Sequence, residues 1–146
     1  MLERLAEIPS ITALKECERD LGIIASNINA VGDRIAILSG DDDLALPTFL
    51  LGSPGAMFTT PNLAPVAHCK LFEACQRGDL ATARSLHYAL LELIEPLYTP
   101  NHPGPLKEAM KLIGHDVGRA RSPLQGAEPK NLALAEAALT RLAALL

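Results

Sequence analysis

The sequence predicts an α/β fold in which three short parallel strands each lead into a helix and a run of helices follows. Three observations carry this. Short apolar, partly β-branched runs occupy residues 11–15, 34–38 and 55–59. Each run passes directly into a stretch with helical spacing, the order expected of parallel strands covered by helices. Beyond Gly78 only helical patterns recur.

Each element has its own justification. Residues 1–8 place Leu2, Leu5 and Ile8 at helical spacing and stop at Pro9, so they read as the tail of a helix. Residues 11–15 form the first strand. Residues 20–31 form a helix that Asp20 caps and Gly32 closes. Residues 34–38 (Arg-Ile-Ala-Ile-Leu) form a second buried strand before Ser39 and Gly40. Residues 41–51 read as a short helix whose early acids suit the positive end of its dipole and which Gly52 terminates. Residues 55–59 are the third strand. Helices follow at 63–77, ended by Gly78, and at 79–98, capped by Asp79 and kinked near Pro96. The last two are 105–113, ended by Gly114, and 130–146, an Ala/Leu-rich amphipathic helix. Residues 98–105 and 115–129 are connecting loops rather than domain boundaries. The organisation is therefore residues 1–78 with the βα units and 79–146 as a helical region.

Composition narrows the function classes. The 146 residues suit one domain. With no Trp and 3% aromatics, the core must be built from Leu, Ile, Ala and Val. A net charge of −4 and the lack of a basic stripe argue against nucleic acid as a partner. No stretch approaches a membrane span, and Met1-Leu2-Glu3-Arg4 does not open a secretory signal. The three cysteines, Cys17, Cys69 and Cys75, form neither a disulfide framework nor a CxxC pair, so the expected location is the cytoplasm. Three parallel strands leave two open edges, which invite pairing with other segments. The chain therefore reads as part of something larger.

Lys15 is the chemically interesting residue. It ends the run Ile11-Thr12-Ala13-Leu14-Lys15-Glu16, which reads as a buried strand. An amine held away from water loses its proton readily and becomes a nucleophile toward carbonyl groups. The bland reading is a lysine at a strand end reaching out to water, and on this segment alone it has the greater weight.

Five segments together shift that balance. Ile11 to Glu16, Leu38-Ser39-Gly40-Asp41-Asp42, and Gly52-Ser53-Pro54-Gly55-Ala56-Met57 followed by Asn62 are three of them. Gly78-Asp79 with Ala83 and then Asn101 to Lys107 make the fourth, and Pro123-Leu124 the fifth. In this order and spacing the chain resembles the pyruvate-dependent class I aldolase family of dihydrodipicolinate synthase and N-acetylneuraminate lyase, over nearly its whole length. The resemblance implies a partial (β/α)8 TIM barrel, its last three βα units followed by C-terminal helices. The first five strands would be missing. With them would go the family's carboxylate-binding hydroxyl pair, its proton-relaying tyrosine and the arginine for the second substrate's carboxylate.

The same resemblance implies the chemistry. Lys15 would form a Schiff base with pyruvate, and Gly40 and Met57 would bind it. The enamine formed from that imine would add to an aldehyde, without cofactor or metal. The activity implied is of dihydrodipicolinate synthase type, with N-acetylneuraminate lyase and sugar-acid aldolase or dehydratase types as alternatives. A third reading is a catalytically inert half-barrel or an associating subunit. The implied partners are pyruvate, an aldehyde and either further copies of the chain or the missing barrel half.

Each residue also has a plainer role. Gly40 fits a tight βα turn, and both roles can hold. On sequence alone Met57 reads as plain core and Cys17 as a buried structural thiol. Asp41-Asp42-Asp43 could suggest a hard cation site, but helix capping explains the acids better. Thr59, Thr60 and Asn62 shape the turn after the third strand, where Pro61 departs from the commoner family pattern. His68, His87, His102 and His115 are too dispersed for a metal site. Tyr88 and Tyr98 lie in helical segments and do not match the family's catalytic tyrosine, and Lys107 stabilises the C-terminal region.

Overall fold

The computed structural model describes residues 1–146. Two short strands lie parallel, β1 (Ala13–Glu16) beside β2 (Ala36–Ser39), with Lys15 opposite Leu38 in register. Helix α1 (Leu2–Ala6) precedes them and α2 (Leu21–Val31) connects them. The remaining helices are α3 (Ala45–Leu50), α4 (Pro65–Gln76), α5 (Leu80–Ile94), α6 (Gly104–Ala109) and α7 (Pro129–Leu145). The α/β class holds.

The local signals explain most boundaries. Asp20 caps α2 by accepting from the Gly22 and Ile23 amides at 2.7 and 3.3 Å, and Asp79 caps α5 by accepting from Thr82 at 3.1 Å. Gly78 and Gly114 take positive φ (+70° and +83°) just past their helices, a conformation that costs other residues a steric clash.

Several elements are shorter than the sequence predicts. The third strand, expected over residues 55–59, is reduced to a single parallel bridge between Ser39 and Ala56. Pro54 lacks an N–H, and the Ser53 hydroxyl donates to the Ile37 carbonyl at 2.7 Å, replacing a ladder bond. No strand pairs with the segment's outer edge. The helix expected over 41–51 is a 3-10 turn at Asp42–Leu44 followed by α3. Pro47 has no N–H to offer the Asp43 carbonyl, so one continuous helix would lose that bond. The helix expected over 79–98 stops at Ile94 because Pro96 cannot extend it. A final turn carries Leu97 and Tyr98 back onto the Ile94 carbonyl, each N–H at 3.0 Å. Tyr98 therefore leaves the helix that the sequence assigned to it.

The core is uneven. Nineteen buried residues from α3 to α7 form one cluster, with Leu71, Leu90, Leu93 and Leu97 at its centre. Only three buried residues, Val31, Ile35 and Ile37, form a second cluster under the strands, flanked by Leu2, Ala6, Leu14 and Ile28. As the composition requires, both are aliphatic apart from Phe49 and Cys75. No helix is long and apolar enough to cross a membrane.

Candidate active site

The two faces of β1 differ. Leu14 packs against the small cluster, and Glu16 accepts from the Asn27 side chain on α2 at 2.7 Å. Strand alternation therefore turns Ala13, Lys15 and Cys17 to the opposite face, which no helix covers. The register brings Ala36, Leu38 and Gly40 of the β2 segment to that same face. The bridge at Ser39 and Ala56 does so for Gly55 and Met57. Lys15, Gly40 and Met57, the three residues singled out from the sequence, thus share one face at the C-terminal ends of the strands.

That face is open, which corrects three expectations. The strand ending in Lys15 is not buried, because Thr12, Ala13 and Lys15 are exposed. Met57 is 59% exposed rather than core, since no element of the chain packs over the side it faces. Cys17 is an exposed free thiol rather than a buried one, for the same reason.

Gly40 is buried where the strand ends converge. A Cβ at this position would overlap the Glu16 carbonyl and the Cys17 Sγ of the neighbouring strand. The glycine is therefore demanded by close approach between strands.

The three acids after Gly40 do not cap a helix, contrary to the sequence reading. Partners on other loops take their carboxylates instead. Arg19, in the loop after β1, pairs with Asp43 at 2.5 Å and with Asp41 at 3.4 Å, tying the two strand ends together. Burial pushes the Asp41 carboxyl up from its ordinary range, and the charges of Arg19 and Lys15 pull it back. Asp42 is 1% exposed. It accepts from the Thr59 and Thr60 amides at 3.1 and 2.7 Å and from the Tyr98 hydroxyl at 2.6 Å, and it also meets the Thr60 hydroxyl. Its oxygens are thus occupied by protein donors.

Asn62 donates to the Thr59 carbonyl at 2.8 Å, closing the turn that follows Met57. Among the histidines, His68 and His87 are buried, and burial pushes both rings below their ordinary value. Lys107 donates to the Arg119 carbonyl at 3.0 Å. An apolar groove of about 360 Å³ between Phe49, Phe58, Pro61, Pro65 and Phe72 contains none of Lys15, Gly40 and Met57.

Sequence reasoning missed Asp42 as a hub and Tyr98 as its partner. The only advance signal was that Pro96 would break the preceding helix.

Known proteins give this geometry a context. A 4-hydroxy-tetrahydrodipicolinate synthase of Methanothrix thermoacetophila is 34% identical over 99% of this chain and 50% of its own length. One of Thermomicrobium roseum is 38% identical over 88% of the chain and 42% of its own length. The solved dihydrodipicolinate synthase from Aquifex aeolicus superposes with a TM-score of 0.86 at 30% identity, covering 100% of this chain and 50% of that one. The chain spans about half the length of the curated relatives it matches. The pattern of the Dihydrodipicolinate synthetase family runs through residues 1–142. With strand ends, glycine and lysine all falling within that match, the chain belongs to the Dihydrodipicolinate synthetase family.

Proposed function

We propose that this chain carries the imine-forming part of a pyruvate-dependent lyase or synthase of dihydrodipicolinate synthase type, with Lys15 as the amine. The observation that carries the reading is the placement of Lys15 on the helix-free face of β1, at the strand's C-terminal end, with Gly40 and Met57 on the same face. In a (β/α)8 barrel that face is the interior, and that end holds the catalytic groups. The chain is then the last three βα units of such a barrel with its C-terminal helices.

The steps follow from the chemistry of an amine and a keto acid. The neutral Lys15 Nζ attacks the keto carbon of pyruvate, and the adduct takes up a proton as its hydroxyl leaves as water, giving an iminium. The positive nitrogen acidifies the methyl group. A proton leaves, and the enamine carbon bonds to the carbonyl carbon of an aldehyde, whose oxygen takes up a proton. Water then hydrolyses the imine and frees Lys15. The reverse sequence cleaves a carbon–carbon bond. No step calls for a cofactor or metal. The Gly40 carbonyl and the Met57 segment would hold the keto acid. The aldehyde is open, and N-acetylneuraminate or sugar-acid cleavage would use the same steps.

One observation favours the second reading, an associating subunit or an inert half-barrel. Lys15 is exposed in this chain, whereas an amine becomes a good nucleophile at neutral pH when water is withdrawn from it. The open face and the unpaired outer edge of the third strand support association with further copies or with a chain supplying the missing barrel half.

Borohydride reduction with pyruvate, run on species separated by size, tests both readings. A pyruvyl adduct at Lys15, lost in Lys15→Ala, is the expected result. Adduct confined to an assembled species supports the associating subunit. Absence of adduct in every species at saturating pyruvate overturns the imine reading and leaves the inert half-barrel.

A further inference from the structure

Tyr98 plays no part in the imine chemistry, yet it touches the frame that holds it. Its hydroxyl lies 2.6 Å from Asp42 Oδ2 and 2.7 Å from Thr59 Oγ1. Asp42 as a carboxylate only accepts, so the single phenolic hydrogen goes to Asp42, and the Tyr98 oxygen receives the hydrogen of Thr59. Burial first, and then the bond to Asp42, push the phenol well above its ordinary value, so it stays a donor.

This contact joins three loops: the one after β2, the one after the third strand and the one after α5. Asp42 stands two residues beyond Gly40, and Thr59 stands two residues beyond Met57. On the Asp42 side the second oxygen is anchored by the Thr60 amide at 2.7 Å, and the Thr60 hydroxyl meets His68 Nε2 at 3.1 Å. Tyr98 bonds to residues on both sides of the Gly40–Met57 gap. Its ring is held independently, stacked on His102 with centroids 4.5 Å apart and packed against the helical core.

We propose that Tyr98 is a positioning residue whose hydroxyl, through Asp42 and Thr59, sets the placement of the Gly40 and Met57 segments that flank Lys15. The functional consequence rests on the imine reading of Lys15; the coupling of the loops does not. Because the ring is anchored by stacking and apolar contact, Tyr98→Phe removes the tie and leaves the packing.

The test compares the full chain with its Tyr98→Phe variant in two readouts. The first is amide hydrogen exchange at Met57 and Thr59, with α7 as an internal reference. The second is the pyruvate concentration for half-maximal borohydride trapping at Lys15, alongside the maximal trapping rate. Loss of one hydrogen bond should speed exchange at Met57 and Thr59 by about three- to tenfold and leave α7 unchanged. The half-saturating pyruvate should rise by about the same factor with the maximal rate unchanged. Unchanged exchange at both amides overturns the proposal, whatever the trapping shows. Faster exchange with an unchanged pyruvate dependence overturns it too, because Tyr98 would then be a structural anchor only. If the unmodified chain traps no pyruvate, the imine reading fails by itself, and exchange at the two amides decides whether the loops are coupled.

Discussion

The helical half and the strand half of this molecule are built to different standards. From α3 to α7, nineteen buried residues interlock around Leu71, Leu90 and Leu93. Under β1 and β2, three buried residues do the same work. The well-packed half contains none of Lys15, Gly40 and Met57. The residues proposed for chemistry sit in the thin half, on a face that the chain leaves uncovered. Stability and reactivity are thus separated in space. The strand ends keep their arrangement through polar ties to neighbouring loops: Asp42 to Thr59, Thr60 and Tyr98, and Arg19 to Asp41 and Asp43.

Three measurements would break or sharpen this contrast. The largest effect is expected in the helical core. Leu93→Ala should cost about 2–5 kcal/mol in urea unfolding, while Ile37→Val under the strands should cost about 0.5–1.5 kcal/mol. A loss below about 2 kcal/mol for Leu93→Ala, or one no larger than that of Ile37→Val, would dissolve the contrast. Next comes Gly40→Ala. The added methyl must displace both the Glu16 carbonyl and the Cys17 sulfur, so a loss of about 1–3 kcal/mol is expected, focused on β1. A melting point within a degree of the parent would mean that the strand ends yield easily.

The gentlest effect is the acid side of the stability profile. His68 and His87 both have folded values pushed below the ordinary 6.5 by burial. The unfolded chain therefore binds protons at a higher pH than the folded one. Their contribution is fully present above about pH 6.5 and is lost as pH falls through the folded values. Melting temperature should fall from pH 7 to pH 5. His87 Nδ1 is buried without a hydrogen-bond partner, so His87→Leu should flatten part of the slope and raise stability at pH 7. A flat profile in the parent chain would contradict the burial of these rings.

Much of the architecture was legible in the sequence because its signals are local. Caps at Asp20 and Asp79, closing glycines at Gly78 and Gly114, and the apolar runs around Leu14 and Ile37 act within a few residues, and each appears where expected. The face assignment of Lys15 was legible too, since it needs only the alternation of a strand. Exposure was not. An apolar residue such as Met57 reads as core from its chemistry, but burial depends on whether something packs over its side. The Asp42 cluster was equally hidden. Its partners lie 17, 18 and 56 positions away, and nothing in Asp41-Asp42-Asp43 distinguishes the middle acid from its neighbours. The third strand illustrates the same point at the level of the backbone: β-branched and apolar residues favour a strand, but a ladder needs a run of backbone partners, and beside Ser39 that run is interrupted by Pro54 and the Ser53 hydroxyl.

The Arg19 clasp differs in kind from the other ties. Its guanidinium side chain is 61% exposed, so dissolved ions reach it, whereas the Asp42 carboxylate is sealed from them. Raising ionic strength should then slacken the link between the Lys15 strand and its neighbour and spare the link between the Gly40 and Met57 loops. The molecule has, in effect, a brackish hinge on one side of its proposed reaction centre and a dry one on the other.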